Sequence, residues 1–406
     1  MTFKSGCTTP FPITYDFLSP ARIHFGWGRR KEIGETAGSL GRRAFLVTGS
    51  RTLEANGSLE EIESLLQKSG LETVKLTTIS HEPETRDVDA TVEKLFSHTL
   101  KPDRDFLIAI GGGSAIDLAK AVAALATNRQ GDSVADFLEG VGKGLQIEQQ
   151  PLPFLAMPTT AGTGSEATKN AVISSYNPKY KKSLRSEKMI PDVVLIDPEL
   201  SVTTPPKTTA YTGMDAITQL IESSISRRAK PIPKALCLHG LSLAAGAIVE
   251  VVENGTSRSA REAMSHAALL SGIALANSGL GMAHGVAAAL GVHCKIPHGL
   301  ACAVMLPVAM KTNRDACETS LAEIGRVLAG SQNERELQSD HEAADFAVEW
   351  VRSTCQRLQI PETLHELGVE KKQISDIVTS SRGNSMNGNP RELSDAELTE
   401  ILEGMT

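Results

Sequence analysis

Asp105-Phe-Leu-Ile-Ala-Ile-Gly-Gly-Gly-Ser-Ala-Ile-Asp117 runs from a short apolar segment, through three consecutive glycines, straight into a helix pattern. Asp105 to Ile110 reads as a buried strand, and Ala115, Leu118, Ala119, Val122 and Leu125 recur at helical spacing. The glycines permit a tight turn and let a ligand approach the backbone closely. The helix that follows aims free N–H groups and its positive dipole end at an anion. Gly112, Gly113 and Ser114 are therefore candidates for the phosphate itself, and Asp117 is a further candidate ligand-binding residue of the same loop. The loop is neither G-x-G-x-x-G nor a Walker A motif, because the spaced third glycine and the Gly-Lys-Ser/Thr ending are absent.

Working outward, further apolar runs alternate with helical patterns across the first half of the chain. Arg43 to Thr48, Pro153 to Met157 and Asp192 to Ile196 read as strands, and Leu59 to Lys68 and Val88 to Leu95 as helices. Such alternation predicts βαβ units and a mostly parallel sheet covered on both faces. Past Asp197-Pro198 the β signal fades. Thr209 to Ser226, Pro233 to Val252, Arg261 to Asn277 and Leu300 to Leu306 read as helices, with Pro307 expected to end or kink the last. Ser394-Asp-Ala-Glu397 has the form of a capping box opening a final helix. The expectation is an α/β nucleotide-binding domain over residues 1–199 and an all-helical domain over 200–406. Gly131 to Gln150 is expected as a surface excursion of the first domain.

A chain of 406 residues exceeds what one core usually serves, and 41% hydrophobic with 22% charged residues is ordinary for a globular protein. A net charge of −7 argues against nucleic acid or an anionic membrane as partner. The six cysteines, Cys7, Cys237, Cys294, Cys302, Cys317 and Cys355, contain no C-x-x-C pair and read as reduced thiols. Met1 to Phe11 lacks the pattern of a signal peptide. Apolar helical stretches such as Ala283 to Val292 are expected to fall short of a membrane span, so a cytoplasmic location is expected.

Two more constellations carry chemistry. Pro158-Thr-Thr-Ala-Gly-Thr-Gly-Ser-Glu166 follows a strand and offers the hydroxyls of Thr159, Thr160, Thr163 and Ser165, which suit phosphate, ribose or a carboxamide. Two such loops at strand C-termini fit a ligand in the crevice of an open α/β sheet. In the helical half, Asp215 and Gln219 lie four residues apart on one helix face, and His284 and His298 sit in glycine-flanked segments. One carboxylate, two imidazoles and an amide form a candidate site for a divalent ion with a position left open for substrate.

In this order these pieces resemble the iron-containing alcohol dehydrogenases, whose two-domain fold is of the dehydroquinate synthase type with a Rossmann-like N-terminal half. The resemblance rests on Phe25-Gly26, the Gly111 to Asp117 loop, Pro158 to Glu166, Pro191-Asp-Val to Asp197-Pro-Glu-Leu200, Gly213-Met-Asp-Ala216, the His284 segment with Pro297-His-Gly299, and Asn389-Pro-Arg391. It implies NAD or NADP in the cleft between domains, on Gly112, Gly113 and Ser114 and flanked by Thr159, Thr160 and Thr163. It implies iron or zinc held by Asp215, His284 and His298, a small alcohol or aldehyde substrate, and a homo-oligomer, dimer or larger. The chemistry implied is reversible, metal-assisted hydride transfer between an alcohol carbon and nicotinamide C4.

Two positions depart from the family. Gln219 stands where a ligand histidine is usual, and Ala288 where a further histidine is often found. They keep two other classes in view: a cyclase or lyase of the dehydroquinate synthase kind, for which Lys181-Lys182-Ser-Leu-Arg185 would supply charge, and a non-catalytic nucleotide-binding protein. After Val47-Thr48 the chain has Gly49, Ser50 and Arg51 rather than an aspartate, so a 2′-phosphate meets no carboxylate and can pair with Arg51, which favours NADP.

Overall fold

The computed structural model describes residues 14–49, 52–333 and 337–406. Cys7, Ser50 and Arg51, and the segment Met1 to Phe11, lie outside them. The first half forms strands β1 (Arg22–Phe25), β2 (Arg43–Thr48), β3 (Glu72–Thr78), β4 (Asp105–Gly111), β5 (Phe154–Pro158), β6 (Asn170–Tyr176), β7 (Lys179–Arg185) and β8 (Val193–Ile196). Helices α1 (Ile33–Gly38), α2 (Thr52–Ala55), α3 (Ser58–Lys68), α4 (Thr85–Phe96) and α5 (Gly113–Leu125) lie between them.

Six strands make one parallel sheet in the order β3-β2-β4-β5-β8-β1. Its central strands are apolar on both sides. Phe45, Val47, Leu107 and Ala109 pack towards α4 and α5, while Ala44, Leu46, Phe106, Ile108 and Ile110 pack towards α1 and α3. Burial on both faces is why these strands read as continuous apolar runs rather than as alternating ones. β2 connects outward to β3 on one side and has β4 on the other, so the topology switches between β2 and β4. Ligands of open α/β sheets bind at that point.

Two strands of the sheet and a separate hairpin were not anticipated. β1 is short, β3 is polar and alternating, and β6 and β7 pair antiparallel through a lysine-rich strand. The Gly131 to Gln150 stretch is not merely a surface excursion, since Val134, Phe137, Leu138 and Ile147 enter the core beside α5.

The second half is helical: α6 (Pro206–Ile225), α7 (Pro231–Glu253), α8 (Arg258–Ser278), α9 (Met282–Cys294), α10 (His298–Asn313), α11 (Glu318–Asn333), α12 (Asp340–Arg357), α13 (Ile374–Ser380) and α14 (Asp395–Glu403). Ser394 and Glu397 form the expected capping box on α14. Pro307 does not end α10, which continues to Asn313. A proline leaves the carbonyl four residues earlier without its helical donor. Here that carbonyl, Ala303 O, accepts the Cys355 thiol of α12 at 3.7 Å. α7 is 23 residues long and contains an 18-residue stretch of mean hydropathy 1.9, long and apolar enough to cross a membrane, contrary to the expectation that no stretch reaches that length. One of its faces buries Cys237, Leu241, Ala244, Ile248 and Val251 in the helical core.

Candidate active site

A cleft of about 970 Å³ opens where the C-terminal ends of the parallel strands face the helical half. The strand-to-helix turn after β4 forms one wall. Gly49 N–H donates to Ile110 O at 2.8 Å, and Thr159 N–H to Gly111 O at 3.0 Å, so three loops meet edge to edge. No side chain fits there. A Cβ on Gly111 would lie 2.8 Å from Gly49 Cα, and one on Gly113 would lie 2.7 Å from the Thr163 side chain. The glycines thus let the two loops close on one another. Gly49, Gly112, Gly113, Ser114, Thr159, Thr160 and Thr163 all line the cleft, with the start of α5 facing into it. A bare backbone cradle beside free helix N–H groups and hydroxyls fits a dinucleotide pyrophosphate.

Asp117 and Ser165 also border the cleft, but they engage each other. The remaining Asp117 oxygen accepts Val172 N–H at 3.0 Å. Beneath them, fully buried Lys120 donates to Ser165 O at 2.8 Å and Thr168 Oγ1 at 2.9 Å, and bonds Asn170 O. Nothing in the sequence pattern marked Lys120, which sits on the face of α5 that reads as core. Gly164, in the left-handed region at φ +58°, meets Gly272 of α8 backbone to backbone, and this contact joins the loop to the helical half.

The opposite wall brings Asp215, His284 and His298 together. Asp215 comes from the middle of α6, His284 from the first turn of α9, and His298 from the start of α10. His284 Nε2 is 3.2 Å from Asp215 Oδ1, and His298 Nε2 is 4.0 Å from the same oxygen. His284 Nδ1 bonds Glu222 Oε2 at 2.7 Å, and Glu222 also accepts the Ala283 N–H at 2.6 Å and the His284 N–H at 3.3 Å. Glu222 therefore caps α9 with a negative charge and turns His284 Nε2 toward Asp215. A carboxylate behind a histidine in this way is the usual outer partner of a metal-ligating imidazole. Seven residues after Asp215 on α6, Glu222 was legible only through helical spacing.

Electrostatics match this arrangement. Burial raises the Asp215 carboxyl, but His284 and His298 together hold it below its ordinary value. Burial opposes charge on His284, yet Cys302, Asp215 and Glu222 keep it well above the usual imidazole range. His298 is pushed down to about 4 by burial and by Lys181. A carboxylate and two imidazoles whose Nε2 atoms converge form a donor set that fits iron or zinc. Gln219 donates its amide NH₂ to Asp215 at 3.3 Å, while its oxygen accepts the Ser271 hydroxyl at 2.8 Å. Coordination by Gln219 would require the amide to turn over, its NH₂ then donating to the Ser271 hydroxyl, which also reaches Ala268 O at 2.8 Å. Ala288 lines the cleft and offers no proton. Lys181 and Arg185 line it too, each paired with a glutamate, Glu82 at 2.7 Å and Glu139 at 3.3 Å.

The model of the family described as iron-containing alcohol dehydrogenase matches residues 20–198, and that of its C-terminal part matches residues 209–406. The chain belongs to the iron-containing alcohol dehydrogenase family. It is an NAD(P)-dependent alcohol dehydrogenase, an oxidoreductase acting on CH–OH groups. This dehydrogenase is 31% identical to the NAD-dependent methanol dehydrogenase of Bacillus methanolicus, over 96% of this chain and 99% of that protein. It is 30% identical to the NADPH-dependent butanol dehydrogenase of Clostridium saccharobutylicum, over 95% and 97% respectively. A crystal structure of 1,3-propanediol oxidoreductase superposes with a TM-score of 0.88 at 29% identity, covering 97% of this chain and 100% of that one. The α/β sheet domain followed by a helical domain is the fold of these dehydrogenases.

Proposed function

We propose that the enzyme moves hydride reversibly between an alcohol carbon and nicotinamide C4 at the meeting of the two walls. The observation that carries this reading is that Asp215, His284 and His298 border the same cleft as the glycine and threonine loops. Residues 1–199 would hold the cofactor and residues 200–406 the metal. When bound, iron or zinc supplies Lewis acidity that lowers the pKa of an alcohol hydroxyl, and the nicotinamide supplies the hydride chemistry. Gly112, Gly113 and Ser114 would bind the pyrophosphate, with Thr159, Thr160 and Thr163 beside the ribose and nicotinamide. Asp117 and Ser165 would position that loop. Asp215, His284 and His298 would hold the metal, with Glu222 keeping a proton on His284 Nδ1 so that Nε2 is free to ligate. With Ala288 in place of histidine, the hydroxyl proton leaves without a relay at that position.

NADP is favoured over NAD because no carboxylate follows Val47-Thr48 and Arg51 can pair with a 2′-phosphate. The relatives above include both NAD- and NADPH-dependent enzymes. A cyclase or lyase reading loses support at Lys181 and Arg185, each paired with a glutamate, and keeps only Lys182 of that segment as a cleft-lining cation. A cytoplasmic location accords with the free, buried Cys237, Cys302 and Cys355, and light scattering would test for the expected homo-oligomer.

The test combines metal analysis, titration with NADPH and NADH, and an alcohol and aldehyde screen. Asp215→Ala and His298→Ala should each lower kcat by roughly tenfold or more while cofactor affinity stays nearly unchanged. Unaltered turnover in both variants would overturn metal assistance, and absence of any turnover in the wild type would favour a binding role.

A further inference from the structure

Cys302 lies on α10 four residues after His298, so both side chains leave the same face of the helix. It is fully buried, and its Sγ is 3.7 Å from His298 Nε2. One donor atom from each of Asp215, His284, His298 and Cys302 falls within 4.8 Å of the others. A tetrahedral ion with metal–sulfur and metal–nitrogen bonds of about 2.3 and 2.1 Å separates those two donors by about 3.6 Å. Its nitrogen and carboxylate donors would stand about 3.4 Å apart, against 3.2 Å from His284 and 4.0 Å from His298 to Asp215. Across the site, the Gln219 amide bonds Asp215 at 3.3 Å and Ser271 at 2.8 Å, and the Ser271 hydroxyl also reaches Ala268 O at 2.8 Å.

We propose that Cys302 is the fourth metal ligand of this enzyme, as a thiolate from α10 in place of an imidazole from position 219 on α6. This rests on the metal site proposed above. As the metal–sulfur bond forms, the Cys302 thiol proton passes to solvent, and the Asp215 carboxylate and the thiolate together balance the charge of a divalent ion. Thiolate is a softer donor than imidazole or amide, which tilts the site towards zinc relative to iron. The partly exposed His298 leaves the ion open on the cleft side for a fifth ligand.

The experiment uses the full-length protein stripped with a chelator and titrated with Co(II). Coordination by Cys302 produces a sulfur-to-cobalt charge-transfer band in the near ultraviolet. Cys302→Ser should abolish that band, still bind Co(II), and weaken Zn(II) affinity by at least about tenfold in chelator competition. Circular dichroism of Cys302→Ser and of a Cys355→Ser control establishes that the fold is kept; the control should retain the band. Co(II) binding without the band in the wild type, or a band that survives in Cys302→Ser, would overturn the ligand assignment and leave the Asp215, His284 and His298 site standing. Failure of the wild type to bind Co(II) or Zn(II) at all would overturn the metal site itself.

Discussion

Glu222→Gln separates the role of a carboxylate behind the site from that of the groups in front of it. The two Glu222 oxygens serve three donors: Oε1 takes the Ala283 N–H, and Oε2 takes the His284 N–H and Nδ1. Glutamine keeps the shape but has one acceptor oxygen. If that oxygen faces His284, the amide NH₂ opposes the Ala283 N–H, and a charge-assisted bond worth about 1.5–3 kcal/mol is lost from the start of α9. If it faces Ala283, the NH₂ opposes Nδ1, and His284 must carry its proton on Nε2, where it no longer ligates. Either orientation penalises the metal-binding arrangement, by about 10–100-fold in affinity as for other outer partners of ligating histidines. Competition between the full-length protein and a chromogenic chelator for Zn(II) reads this directly, with circular dichroism as the check on folding. A Glu222→Gln protein that binds Zn(II) within twofold of wild type would refute the assigned role.

Gly113→Val should weaken NAD(P)H binding, because its Cβ lands 2.7 Å from Thr163 and forces the second loop away. Overpacking of about 1–3 kcal/mol corresponds to roughly 5–150-fold in Kd; unchanged fluorescence titration curves would sink that account. Burial pushes the Glu166 carboxyl from 4.5 to about 7 against the pull of its own backbone and of Lys120. The native chain therefore keeps a proton between pH 4.5 and 7 that the unfolded chain releases. Stability falls as pH rises through that window, by roughly 3 kcal/mol at most, and the loss is complete above it. Glu166→Gln should flatten the fall in urea midpoint between about pH 5 and about pH 8, a range that covers most of that window; parallel profiles for both proteins would contradict it.

Much of this was readable without coordinates, because local periodicity survives translation into three dimensions. β2 and β4 are continuous apolar runs since they are covered on both faces, and the turn at Gly111 to Gly113 needs glycine wherever that strand meets that helix. Asp215, His284 and His298 were legible as residue types in a family order. The exposed edge strand β3 and the lysine-rich β7 were not, because neither carries the apolar pattern of a buried strand. Pro307 does not end α10 for a related reason: whether a proline ends a helix depends on who satisfies the freed carbonyl, and Cys355, which bonds Ala303 O, is 52 residues from it.

The sequence by itself determined the parallel sheet, the glycine turn after β4 and the chemical character of the Asp215, His284 and His298 cluster. Only tertiary structure decided which groups stand at hydrogen-bonding distance. It put Glu222 behind His284, Ser271 on the Gln219 oxygen, Lys120 under the second loop and Cys302 beside His298. Periodicity fixes the face from which a side chain leaves its own helix, whereas its partner is fixed by how separate helices pack, and that packing is written across the whole chain at once.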